Sequence, residues 1–63
     1  MKIGGKAWYV QSLREKAIRV TITGIEVDTL NRIVYVKSVD RHGVVYNDYV
    51  SLFSDTRPIQ YGF

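Results

Sequence analysis

His42 is the only histidine in the chain and there is no cysteine, so few side chains could do acid–base, nucleophilic or metal chemistry. His42 stands in Asp40-Arg41-His42-Gly43, where the aspartate favours the start of a tight turn and the glycine supplies a positive φ to close it. A histidine at such a tip reads as a solvated turn residue and not as a general base. Asp40 and His42 together are two ligands with no third in sequence reach, which is too few for a metal site. Ser12, Ser38, Ser51 and Ser54 carry no nucleophile-elbow pattern. Gly4-Gly5 precedes a strand and not a helix, so it builds no phosphate loop. Asp28, Asp40, Asp48 and Asp55 fall at expected turns or breaks, where a carboxylate accepts hydrogen bonds from nearby backbone amides. The expectation is a non-enzymatic protein with no catalytic residue, cofactor or metal.

What remains is binding chemistry. The first 19 residues carry a formal charge of +4, from Lys2, Lys6, Arg14, Lys16 and Arg19 against Glu15, while the rest of the chain sums to −1. An uneven basic charge favours anionic partners, although a small domain also carries charge for solubility. Arg14, Lys16 and Arg19 are the expected polar contacts, and Tyr61 and Phe63, beyond the last clear element, are candidate apolar anchors for a protein partner or a second copy. Tyr9 beside the basic loop offers a second reading, in which an exposed ring stacks on a nucleic-acid base and the loop meets phosphates. Against it, so small a core needs most of its eight aromatics inside. A protein partner is therefore expected first, nucleic acid second, with a homodimer allowed. No apolar run is long enough for a membrane-spanning helix and the opening residues lack a signal-peptide pattern, which places the chain in the cytoplasm with no membrane partner.

Residues 17–27, AIRVTITGIEV, form the strand that would position these groups. Ile18, Val20 and Ile22 alternate with Arg19, Thr21 and Thr23, giving one apolar and one wettable face. After Gly24 the apolar positions become Ile25 and Val27, so the parity reverses, and a bend or bulge at the glycine would let one strand serve both sides of a small barrel. Before it, Met1 to Gly5 reads as a loose lead-in and Lys6 to Gln11 as a first strand. Ser12 to Lys16 reads as a charged loop with Leu13 pinned to the core. After it, Asp28 to Arg32 reads as a hairpin connection with Asn31 left-handed. Ile33 to Val39 follows as a central strand, with Ile33, Tyr35, Lys37 and Val39 on one side and Val34, Val36 and Ser38 on the other. Asp40 to Gly43 then turns the chain into a return strand, Val44 to Asn47. Asn47-Asp48 reads as a polar break, and Tyr49 to Phe53 as a short strand or 3₁₀ turn capping the barrel. Strands about ten residues apart, with no helix of useful length, give an all-β class and one domain over residues 1–63.

With the strands in that order, the chain resembles the small SH3-like barrels, of about five antiparallel strands. The resemblance rests on Gly-Lys-Ala-Trp-Tyr-Val at the start, the charged loop, the bent strand through Thr23-Gly24-Ile25, the Asp40 to Gly43 turn, and Leu52-Phe53 followed by Asp55-Thr56. Among these it is similar to short proteins of bacteriophages and their bacterial hosts. What this implies is an accessory or inhibitor module that acts by binding a macromolecule. The chain departs from the peptide-binding SH3 domains, which pair an acidic, aromatic-bearing loop with two tryptophans; here the first loop is basic and there is one tryptophan.

Overall fold

The structure is a computed structural model that describes residues 1–12 and 15–59. Five antiparallel strands, β1 (Lys6–Tyr9), β2 (Ile18–Val27), β3 (Ile33–Asp40), β4 (Val45–Tyr49) and β5 (Phe53–Ser54), form one sheet in the order β4-β3-β2-β1-β5. The sheet curls into a half-barrel, and a single 3₁₀ turn at Val50–Leu52 carries the chain from β4 to β5. Strand number, the antiparallel pairing and the late 3₁₀ turn agree with the small-barrel expectation.

The reversal of parity in β2 is a bulge. Ile22 lies opposite Ser38 and Gly24 opposite Lys37, so Thr23 is the extra residue that two-for-one pairing leaves without a partner. Val20 and Ile22 before it are buried, and Ile25 after it packs against the same core. Val27, expected to share that second face, is instead exposed, because the hairpin tip has passed the core by then. A second irregularity sets Val27 opposite Ile33 and Glu26 opposite Tyr35, leaving Val34 over. It corrects the face assigned to Ile33, which packs against the core while Tyr35 stays on the outer side.

Ala7, Tyr9, Val20, Ile22, Val36 and Phe53 make the core. Each large aliphatic side chain there contributes about 1.5–3 kcal/mol by leaving water. Ser38 is fully buried among them and remains satisfied, because its Oγ donates to the Tyr46 carbonyl at 2.6 Å. The Tyr9 ring packs on Tyr46 and Phe53, with centroids 5.1 and 4.9 Å away, and its hydroxyl donates to Asp48 Oδ2 at 2.8 Å. Burial raises the Tyr9 pKa above the ordinary tyrosine value, and the bond to Asp48 adds to the rise.

Both expected turns form. Asn31 has φ 63° and Gly43 φ 83°. Asp28 Oδ1 accepts the amides of Leu30 and Arg32, and Asp40 Oδ1 those of His42 and Val44. Two expectations change. Asn47-Asp48 is no break but the middle of β4, since Asn47 Oδ1 accepts the Ser38 amide and Asp48 is engaged by Tyr9 and by the Tyr49 amide. The lead-in is tied down too: the Gly4 amide donates to the Ile22 carbonyl and the Ile22 amide to the Gly5 carbonyl. Leu13 lies outside the described residues.

Two outcomes follow. Gly24 does not have a positive φ; a Cβ there would stand 3.2 Å from Lys37 Cδ and 3.3 Å from Lys37 Cβ. Gly24→Val should cost about 1 kcal/mol in thermal or urea unfolding, and less in a Lys37→Ala background; an equal cost in both would remove Lys37 as the cause. Tyr9→Phe should cost about 1 kcal/mol by leaving Asp48 Oδ2 without its donor. The raised Tyr9 pKa stabilises the fold below the unfolded value near 10, and that stability is lost as pH rises through the folded value. The variant should lose this alkaline slope, read as Tm against pH.

Candidate nucleic-acid or protein interface

Outward-facing residues of β1 and β2 are set by the register Lys6↔Thr21 and Trp8↔Arg19, while Ala7 and Tyr9 between them point into the core. Trp8 is therefore held on the outer face. Across β1 on its other side Trp8 pairs with Ser54, and from there a short turn, in which Ser54 Oγ donates to the Thr56 carbonyl and accepts the Thr56 amide, leads to Arg57. The extended geometry expected before Pro58 then brings Arg57 back over the sheet. The Arg19 guanidinium carbon lies 5.0 Å from the Trp8 ring centroid and that of Arg57 5.4 Å. Cation–π contacts of this kind are worth about 0.5–1 kcal/mol at exposed sites, and they hold two guanidinium groups ready on one aromatic base.

Beside them is an open groove of about 320 Å³, lined by Trp8, Ala17, Ile18, Arg19, Asp40, Arg41 and His42. The Asp40 to Gly43 turn forms its far wall. Arg41 Nε donates to His42 Nε2 at 3.2 Å, so these two side chains stand together at the rim. Asp40, the carboxylate in the groove, is committed to the turn. Its partial desolvation would raise its pKa, but hydrogen bonds from the Val44 and His42 amides outweigh this, with the His42 charge and the Tyr46 hydroxyl, and hold it below the ordinary value. Salt bridges among the described residues join Met1 to Asp55, Arg32 to Asp28 and Lys37 to Glu26. None involves Arg19, Arg41 or Arg57. The groove thus presents Arg19 and Arg41 without a salt bridge among the described residues, beside one carboxylate, Asp40, whose Oδ1 is held by turn amides.

Of the residues expected at a binding surface, Arg19 is part of this arrangement. Lys16 is exposed two residues before β2. Tyr9 is corrected: at 3% exposure it is a core residue, and the ring next to the basic groups is its neighbour Trp8. The alternation along β1 forces one of the two inward, and the contact with Tyr46, Phe53 and Asp48 makes it Tyr9. Arg14, Tyr61 and Phe63 lie outside the described residues. Arg41 and Arg57 were not expected. Antiparallel pairing of the first two strands around the charged loop is the signal that could have placed Trp8 against Arg19, but a loop of unknown conformation does not fix the register. A second hollow, of about 290 Å³, lies between Val10 to Ser12, Ser51 to Ser54 and Pro58, and no ionisable side chain lines it. Among the described residues no group of three or more histidine, cysteine or acidic side chains is placed to hold a metal ion, and no helix is long and apolar enough to cross a membrane.

Because the folded pKa of Asp40 is depressed, its stabilising contribution is present above the unfolded carboxyl value and is lost as pH falls through the folded one. An Asp40→Asn variant should show a flatter loss of Tm below pH ~4 than the parent; parallel acid limbs would show that the carboxylate charge does not support the turn.

In comparisons with protein-family models, curated proteins and solved structures, the chain matches none of them.

Proposed function

We propose that this chain is a non-enzymatic binding module of the small SH3-like type, an accessory or inhibitor protein of phage or bacterial kind, that acts in the cytoplasm by holding an acidic segment of another protein in the Trp8 groove. The observation that carries this reading is the pair of guanidinium groups, Arg19 and Arg57, stacked on Trp8 and in none of the salt bridges among the described residues. A guanidinium fixed on an aromatic face has little side-chain freedom left to lose, and its fork of donors matches a carboxylate. Arg41 and His42 across the groove would take the next acidic group.

Nucleic acid is the second reading, and the same cations favour it, since phosphate meets arginine as readily as carboxylate does. The aromatic part of that reading is weaker. A single-strand binder offers a bare ring to a base, whereas two guanidinium groups of the chain itself already lie over Trp8, and Tyr9 is inside.

The test compares the parent with an Arg19→Ala/Arg57→Ala variant as baits in a lysate of the source, with and without nuclease, at low and high salt. Both substitutions are at exposed positions but delete both contacts with Trp8, so the variant should melt somewhat lower than the parent and still be folded at the temperature of capture, which a melting curve checks first. A protein retained by the parent after nuclease and released by the variant is the expected result. Recovery of nucleic acid alone, lost steeply as salt rises, would put the second reading first. Equal capture by both baits would remove the groove from either reading.

A further inference from the structure

β4 is an edge strand, and its free side carries few of the features by which natural edges avoid pairing. Asp40 N–H donates to the Val44 carbonyl, and hydrogen-bonded and non-hydrogen-bonded pairs alternate along an antiparallel ladder. With Val39 opposite Val45, Ser38 opposite Tyr46, Lys37 opposite Asn47 and Val36 opposite Asp48, the residues bonded to β3 are Tyr46 and Asp48. The amides and carbonyls of Val45, Asn47 and Tyr49 point away from the sheet. No other described strand pairs with them. One of these groups is taken locally, the Tyr49 amide, which donates to Asp48 Oδ1 at 2.9 Å. The Tyr49 carbonyl is taken too, as the N-cap acceptor of the 3₁₀ turn, which leaves the amides and carbonyls of Val45 and Asn47 as an open row.

Edges are usually blunted by lysine, proline, a bulge or shortness. β5, the other edge, has two residues. β4 has five, with no lysine, proline or register shift, and its one inward charge, Asp48, is held by the Tyr9 hydroxyl and the Tyr49 amide. Its outward side chains are uncharged, and two of them are large and exposed, Val45 at 62% and Tyr49 at 67%. The nearest cation, Lys37 across the ladder from Asn47, is paired with Glu26 at 3.8 Å.

We infer that β4 is a self-pairing edge, where two copies of this chain join as an antiparallel β4–β4 dimer centred on Asn47. The strand is self-complementary about that residue. Asn47 faces Asn47 of the second copy, and each Val45 faces a Tyr49. This gives two cross-strand pairs of the β-branched–aromatic kind that stabilise sheets. Two main-chain bonds form without disturbing the contacts at Tyr49: the two Asn47 amides reach the opposite Asn47 carbonyls, while each Val45 amide meets a Tyr49 carbonyl that already accepts one bond in the 3₁₀ turn. An isologous pairing closes after two copies and continues the sheet across the interface. A foreign strand would gain the main-chain bonds but not this match of side chains, which is why the second copy is the occupant.

Sedimentation equilibrium over a concentration series tests this with the parent, Val45→Lys and, as a control at another exposed apolar site, Leu30→Lys. The parent should dimerise, with concentration-dependent amide shifts at Val45 and Asn47 in NMR spectra. Val45→Lys should raise the dissociation constant by about tenfold or more by setting a charge in the pairing edge. Leu30→Lys should leave it unchanged. A parent that stays monomeric throughout, a dimer indifferent to Val45→Lys, or shifts confined to residues away from β4 would each overturn the inference. The parent's amide shifts decide the matter even if a variant folds poorly.

Discussion

One extra residue in β2 decides the shape of this protein. A strand of ten residues with strict alternation would place Ile25 on the same face as Arg19 and Thr21, away from the core that Val20 and Ile22 enter. Leaving Thr23 unpaired turns the second half of the strand over, so Val20, Ile22 and Ile25 reach one core. The same local kink increases the twist, which lets β2 pair with β1 at one end and β3 along most of its length. Gly24, next to the bulge, leaves room for the aliphatic stem of Lys37 from the neighbouring strand. The curl of the sheet, and with it the half-barrel, depends on this arrangement.

The inner face of the curled sheet is filled by aromatic as well as aliphatic side chains. Tyr9 fills the end nearest β5 and reaches toward β4, where its hydroxyl meets Asp48. A buried tyrosine needs a partner for that hydroxyl, and the strand opposite supplies one from a residue that would otherwise break it. Asp48 therefore does in β4 what a turn aspartate does elsewhere in the chain: both of its oxygens are hydrogen-bonded, one to a side chain and one to the Tyr49 amide.

Much of this was legible in the residues. The alternation in β2, its reversal at Gly24, the left-handed Asn31, the Asp40 to Gly43 turn and the late 3₁₀ turn each follow from local rules: side-chain period, β-branching and the few residues that tolerate a positive φ. Errors came where a residue's local preference was overruled by a distant partner. Asn47 and Asp48 are turn formers by themselves, yet Ser38 and Tyr9 engage them inside a strand. Tyr9 and Trp8 were alike as candidates for the surface, because alternation says only that they face opposite ways. Which of them faces in depends on Phe53 and Asp48, 44 and 39 positions along from Tyr9. Arg57 reaches Trp8 through the pairing of β1 with β5, a contact between the two ends of the chain that no local pattern encodes.

The distribution of charge follows from the same pairing. On the outer face, cations gather around Trp8 because β1 and β2 contribute Lys6 and Arg19, and because the chain after β5 adds Arg57. Toward β4 the ionic groups cancel: Lys37 is paired with Glu26, and Asp48 faces inward to Tyr9. If Asp48 lay one position along the strand it would face outward and charge the edge, and Tyr9 would lose its acceptor. The side-chain period of two thus couples a satisfied core to a neutral edge in β4, and a single carboxylate serves both.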